Sequence, residues 1–390
     1  MADKQIEICR DEMKKTLGEI FEIGSGGTPS KNHAEYYGGD IPWVKTGDLK
    51  EEYLYFVEDY ITEAGLKNSS AKMYSEGTVL IAMYGATIGA TSVLKFDACT
   101  NQACAAFKPC KDVLPEYLYY FLRNKRREFI NDGVGGAQPN ISAGYLKKVV
   151  FDVRPLDEQK IIVTLLDKAN QQIISRQHEI ELLDDLIKAR FVEMFGDINI
   201  NDKSWDSYPL GDLCTIVRGG SPRPIENYLG GDVPWIKIGD ATDGDNIYLK
   251  STKEHIIQEG VRKSRLVKKG SLIFANCGVS LGFARIITFE GCIHDGWLAM
   301  EDIDERLDKV FLLQSLNQMT EHFRAIAPAG TQPNLNTAIM KSYNQIVPPK
   351  ALQLEYISFL KQVDKSKSVV QKSLDETKIL FDSLLQEYFS

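Results

Sequence analysis

Gly24-Ser25-Gly26-Gly27-Thr28-Pro29-Ser30-Lys31 gathers glycine, hydroxyl and lysine in one loop, the residue types that cradle phosphate. A nucleotide P-loop needs Gly-x-x-x-x-Gly-Lys-Ser/Thr opening a helix. Here no glycine directly precedes Lys31, and Pro29 obstructs a helix start, so nucleotide binding is rejected. A second copy, Arg218-Gly219-Gly220-Ser221-Pro222-Arg223-Pro224, fails the same test. Two readings of the pair stay open. One is a tight turn at a strand end; the other is a loop whose backbone N–H groups approach a DNA phosphate, flanked by Lys31, Arg218 and Arg223. Catalytic constellations are absent. His33, His178, His255, His294 and His322 show no metal spacing, and the cysteines at 9, 99, 104, 110, 214, 277 and 292 form no C-x-x-C pair, so no metal site is expected. They read as thiols of a reducing cytoplasm. The adenine-methyltransferase tetrapeptide is missing too: Val347-Pro348-Pro349-Lys350 lacks its polar and aromatic ends. Any chemistry must come from another chain.

Binding residues are easier to find. Trp43-Val44-Lys45-Thr46-Gly47-Asp48 returns as Trp235-Ile236-Lys237-Ile238-Gly239-Asp240. The aromatic and branched residues read as core; Lys45 and Lys237 are expected on the opposite strand face, where they meet phosphate. Thr46 against Ile238 is the kind of divergence expected where two domains read different bases. Lys67, Ser69 and Lys72 in one copy, and Arg262, Lys263 and Arg265 in the other, lie in polar, basic stretches that serve either as phosphate and base-edge anchors or as solvated loops. Gln138-Pro139-Asn140 and Gln332-Pro333-Asn334 read as loop caps before the last strand of each copy.

These residues are positioned by a duplication. Equivalent segments recur at an offset of 192 to 195 residues, so the copies are whole domains. Each mixes short β-branched runs (79–81 and 91–94; 272–274 and 285–288) with one helical stretch, Tyr117 to Ile130 and Val310 to Ile326. The fold class is α+β. With a hydrophobic content of 43% and 26% charged residues, the chain can build proper cores, while its apolar runs are far too short for a membrane span. The net charge of −8 counts mildly against nucleic acid, but each copy is nearly neutral and the acidic excess lies mainly between them. Residues 156–195 and 350–390 contain neither Gly nor Pro. Leu166, Ile173, Ile180, Ile187 and Met194 stand seven apart, as do Tyr356, Val363, Val370 and Leu384 with one miss at Thr377; Leu374 belongs to a companion line. Seven-residue spacing predicts supercoiled helices, and 40 residues make a rod of about 60 Å. Four segments result: 1–155 and 206–348 as domains, 156–205 and 349–390 as helical spacers. Paired antiparallel, the two rods separate the domains as a pseudo-two-fold dumbbell.

The ordered set of motifs resembles the specificity subunits of Type I restriction-modification enzymes over essentially the whole chain. It comprises Gly26-Gly27-Thr28-Pro29, the Gly-Gly-Asp-Ile-Pro-Trp-Val-Lys-Thr-Gly-Asp segment, Thr100-Asn101-Gln102-Ala103, Gln138-Pro139-Asn140-Ile141 and the Pro155-Leu156-Asp157-Glu158-Gln159 helix start. Repeat two departs at Thr331, His294-Asp295 and Lys350-Ala351-Leu352-Gln353. The resemblance implies two target recognition domains reading an asymmetric, bipartite double-stranded DNA target, with the rods as a ruler for the gap. It also implies two modification subunits that use S-adenosylmethionine and two restriction subunits that use ATP and Mg, no cofactor in this chain, no membrane and a cytoplasmic location. A rival reading is a coiled-coil adaptor whose twin domains bind protein or glycan.

Overall fold

The structure, a computed structural model, describes residues 14–133, 140–242, 246–278, 280–328 and 334–390. Two compact units divide the chain: Met1–Gln177 with Lys372–Ser390, and His178–Gln371. They cut across the four segments expected from sequence, because each unit combines one repeat with parts of two 40-residue helices, Leu156–Phe195 and Lys350–Phe389.

In the first unit a five-stranded sheet runs in the order Ile23–Ser25, Cys104–Phe107, Val79–Ala82, Thr91–Leu94, Tyr53–Leu54. A four-stranded sheet orders Tyr60–Ile61, Tyr37–Val44, Ala98–Thr100 and Met73–Tyr74. Alternation along single strands explains the continuous apolar runs. Val79 and Ile81 face a core shared with helices, whereas Leu80 and Ala82 face a second core with Val44, Leu54 and Leu94. A sheet covered on both sides has no polar face to show.

The second unit repeats the topology. Thr215–Arg218, Trp297–Glu301, Leu272–Ala275, Ala284–Ile287 and Tyr248–Leu249 form its larger sheet, and Glu254–Ile256, Leu229–Ile236, Gly291–Ile293 and Arg265–Val267 its smaller one. In both units the Gly-Gly-Asp segment makes a bulge, with Ile61 opposing both Tyr37 and Ile41, and Ile256 opposing both Leu229 and Val233. Gly38 and Gly230 take φ of 75° and 85° there, conformations that favour glycine.

The helical stretch of each repeat is broken, contrary to the sequence expectation of one helix. Pro115–Asn124 is followed by Arg126–Asp132, and Lys309–Gln318 by Thr320–Ile326. At Lys125 and Met319 ψ approaches zero (−3° and 9°), which redirects the chain so that Phe129 and Phe323 become fully buried.

Within each unit the long helices run antiparallel. In the first, Arg154 Nη2, just before the first helix, donates to the Tyr388 carbonyl near the end of the second at 3.1 Å. In the second, Asp184 pairs with Lys367 at 2.5 Å and Arg190 with Glu355 at 3.2 Å, so one number climbs as the other falls. Of the residues expected at the seam, Leu166, Ile187, Met194, Tyr356, Val363, Val370 and Leu374 are buried, and Ile173, Ile180 and Leu384 half-buried. Leu166 with Phe381, Leu385 and Phe389, and Phe191 and Phe195 with Tyr356 and Phe311, continue into the cores of their own units. The long helices are therefore fused to the repeats rather than free rods.

A buried glutamine locks each junction. Gln159 Nε2 donates to the carbonyls of Arg154 (2.7 Å) and Asp112 (2.9 Å), while its Oε1 accepts from the Leu114 N–H at 2.9 Å. Gln353 does the same with Pro348 (2.7 Å), Arg306 (2.9 Å) and the Asp308 N–H (2.8 Å). Sequence comparison treats Lys350-Ala351-Leu352-Gln353 as a departure in repeat two; the structure shows that Gln353 keeps the function of Gln159.

Candidate nucleic-acid interface

Three loops meet where the two central strands of the smaller sheet end in each unit. In the first, a Cβ on Gly26 would lie 1.8 Å from the Thr100 carbonyl, and one on Gly27 2.2 Å from Ser70 Oγ. In the second, Gly219 faces the His294 carbonyl at 2.2 Å and Gly220 the Lys263 carbonyl at 3.0 Å. The glycines are there because backbone meets backbone. The N–H of Gly27 is already donated to Thr100 O at 2.9 Å and that of Gly220 to Ile293 O at 3.0 Å. The Gly-Gly pair is therefore a packed turn, and these two N–H groups are engaged within the protein.

Hydroxyls tie the same loops together. Thr28 Oγ1 donates to Gln102 Oε1, and Ser221 Oγ donates to Asp295 Oδ1 at 2.7 Å. Ahead of them, Asn101 Oδ1 accepts the Ala103 N–H at 3.1 Å, while His294 Nδ1 accepts the Gly296 N–H at 2.9 Å. With Nδ1 an acceptor, Nε2 carries the proton and donates to Asp295 Oδ1 at 2.9 Å. Burial, followed by the charges of Lys237, Arg223 and Arg218, holds the His294 imidazole below its ordinary pKa, against the opposing pull of Asp295. Thr46 and Ile238 neighbour these turns, since Asn101 N donates to Val44 O (2.9 Å) and His294 N to Ile236 O (3.0 Å).

The predicted cations divide into two groups. Lys31, Lys72, Arg262 and Arg265 are exposed, and among the described residues none has a carboxylate partner. Others are engaged. Lys45 does not project to the opposite strand face: the strand ends at Val44, and its Nζ sits 5.3 Å over the Trp43 ring, paired with Asp59 at 2.5 Å. Lys237 repeats this over Trp235 at 5.2 Å, paired with Glu254. Each lysine thus has a carboxylate partner and lies over its own tryptophan. Lys67 pairs with Glu63 one helical turn away at 2.8 Å. Ser69 Oγ accepts the Ala71 N–H at 3.2 Å, and Lys263 donates to Tyr228 OH at 2.5 Å. Arg218 Nε donates to the Asp295 carbonyl at 3.0 Å, and Arg223 lies 3.6 Å from the Asp295 carboxylate. Sequence reading missed the Thr28–Gln102 and Ser221–Asp295 ties, although Thr/Ser stands at matched positions and was the available signal. Gln138 and Gln332 lie outside the described residues, as does Cys9; Asn140 and Asn334 bridge to Tyr84 and Cys277.

Other candidate chemistry is weak. Burial pushes the thiols of Cys99, Cys104 and Cys214 up to about 12, so they are protonated and poor nucleophiles. A cleft of about 910 Å³ in the first unit, lined by Glu52, Tyr119, Arg123, Asp167, Asn170 and Phe381, contains none of the predicted DNA residues. Among the described residues no helix is long and apolar enough to cross a membrane.

The chain is built of twin mixed-sheet units joined to long helices, and comparison with known proteins gives the family. The chain matches the Type I restriction modification DNA specificity domain twice, over residues 10–184 and 202–377, and belongs to that family. It is similar to the Type I restriction enzyme MjaIX specificity subunit of Methanocaldococcus jannaschii, 27% identical over 97% of this chain and 93% of that one. The EcoR124I/EcoR124II specificity subunit of Escherichia coli is 30% identical over 43% of this chain and 45% of its own length. Among solved structures, a chain from a type I R-M system studied for complex assembly aligns with TM-score 0.67 at 15% identity, covering 96% of this chain and 97% of that one. The S subunit from M. genitalium aligns at TM-score 0.55 and 16% identity over 97% of this chain and 96% of its own. The chain is thus a Type I restriction-modification specificity subunit, a non-catalytic component that confers DNA target specificity.

Proposed function

We propose that the loop face of each unit reads one half of a bipartite, asymmetric double-stranded DNA target. Two modification subunits using S-adenosylmethionine and two restriction subunits using ATP and Mg work with the chain in the cytoplasm, and the long helices set the gap between half-sites. One observation carries this reading. The two units share a frame down to the hydroxyl ties and the bulge, yet differ in side chain at the loop positions: Thr46 against Ile238, Gln102 against Asp295, Ser25 against Arg218 and Ser30 against Arg223. A constant frame with variable tips suits two half-sites of different sequence. Lys31, Lys72, Arg262 and Arg265 are the proposed phosphate contacts. The chain mixed with its modification partner and a duplex in a band-shift assay tests the reading. Affinity should fall linearly with the logarithm of salt concentration as counterions are released. Absence of any shift, or a shift indifferent to salt, would contradict it.

A further inference from the structure

The second loop face carries a carboxylate where a polyanion is to bind. Asp295 is not isolated there. Its Oδ1 accepts from Ser221 Oγ at 2.7 Å and from His294 Nε2 at 2.9 Å, its Oδ2 lies 3.6 Å from Arg223, and its carbonyl accepts Arg218 Nε–H at 3.0 Å. The first unit has Ser25, Ser30 and Gln102 at the equivalent places. The carboxylate and both arginines are thus present together in one copy and absent together from the other. A carboxylate near phosphates repels them unless it does something that compensates. Arg223 remains 79% exposed at its side chain, so its guanidinium is held at one edge and open at the other.

We propose that Asp295 is a positioning residue of the second unit, its carboxylate holding Arg223 beside the Arg218 that its main-chain carbonyl binds, so that the guanidinium groups meet DNA already ordered. This rests on the reading of the loop face as the DNA interface. A guanidinium fork matches two acceptors side by side, either O6 and N7 of guanine or a phosphate. An arginine fixed beforehand loses less side-chain freedom on binding. Positioning of Arg223 needs an ionised carboxyl group, and the surroundings keep it so. Burial raises its pKa, but the Ser221 hydrogen bond, the interaction with His294 and the charges of Arg223 and Arg218 outweigh burial and hold it below the usual range.

The sign of one substitution tests the idea. Asp295→Asn removes a negative charge from the interface and keeps the side chain's shape. A carboxylate that merely sits there would predict tighter binding. Positioning predicts that the full-length chain with its modification partner binds the target duplex, selected from a randomised pool, about tenfold more weakly, with affinity recovered in part by Asp295→Glu. Thermal unfolding confirms that both variants fold. Equal or tighter target binding by Asp295→Asn would overturn the proposal. The double variant Arg218→Ala, Arg223→Ala separates the two levels. If it binds like the wild type, the interface itself is misplaced; if it weakens binding while Asp295→Asn does not, only the positioning role falls. A loss in the double variant confined to the target marks guanine contact. A loss shared by unrelated duplexes, with a shallower salt slope, marks phosphate.

Discussion

His294 does with a ring nitrogen what Asn101 does with an amide oxygen, and the exchange brings pH sensitivity. Both accept the N–H two residues on, at 2.9 and 3.1 Å. Only the imidazole can lose that role by taking up a proton. Its folded pKa lies below the ordinary 6.5, so the unfolded chain binds the proton more readily. By linkage its contribution to stability is present above that ordinary value and is lost as pH falls below it and through the lower folded pKa. His294→Asn should therefore fold, and the melting-temperature difference between wild type and variant should shift in the variant's favour between pH 7.5 and pH 5.5. A difference that stays constant with pH would refute the role. At this scale the sequence was a partial guide. It picked out the exposed cations Lys31, Lys72, Arg262 and Arg265, but not their ranking against Lys45 and Lys237. Those two look like free lysines until Asp59 and Glu254, 14 and 17 residues further along the chain, are seen beside them.

At the scale of elements, the long helices announce themselves through their seven-residue period and the lack of Gly and Pro, and their bounds, Leu156–Phe195 and Lys350–Phe389, fall close to the expected ones. Sequence does not reveal how they are anchored. Each junction rests on a fully buried glutamine that satisfies three backbone groups on the domain and the preceding loop. Replacing Gln353 with Ala leaves the Asp308 N–H and the carbonyls of Arg306 and Pro348 without it, at a cost of about 2–4 kcal/mol. Gln159→Ala should cost the same in the first unit. The exposed Gln362→Ala should stay within about 0.5 kcal/mol, since surface changes away from such networks rarely matter more. Denaturant unfolding of the three variants decides it: equal midpoints would deny the lock. Gln353 reads from sequence as part of a departure from repeat one, and neither glutamine is legible as a hydrogen-bond device. The breaks at Lys125 and Met319 left no periodicity signal, because apolar spacing continues across both.

For the whole molecule, the duplication was the strongest signal in the sequence, and the two units share one topology. Contiguous sequence nevertheless misjudged the compact units, since residues 372–390 pack with the first repeat from the far end of the chain. Antiparallel pairing of the rods was expected from their spacing, but not that Phe381, Leu385 and Phe389 enter the core of the first repeat. This packing also states what any exchange of domains must preserve: Leu118, Phe121 and Phe151 pack in one core with Ile162, Leu166, Phe381 and Phe389. A replacement for residues 16–154 taken from another family member should keep an apolar face toward the helices while changing the loops. Methylome sequencing of cells that carry this chimera with modification and restriction subunits shows which half-site follows the exchanged unit. The half-site read by the first unit should change while the other half-site stays as in the wild type. Change in both half-sites, or in neither, would contradict the view that each unit reads its own half.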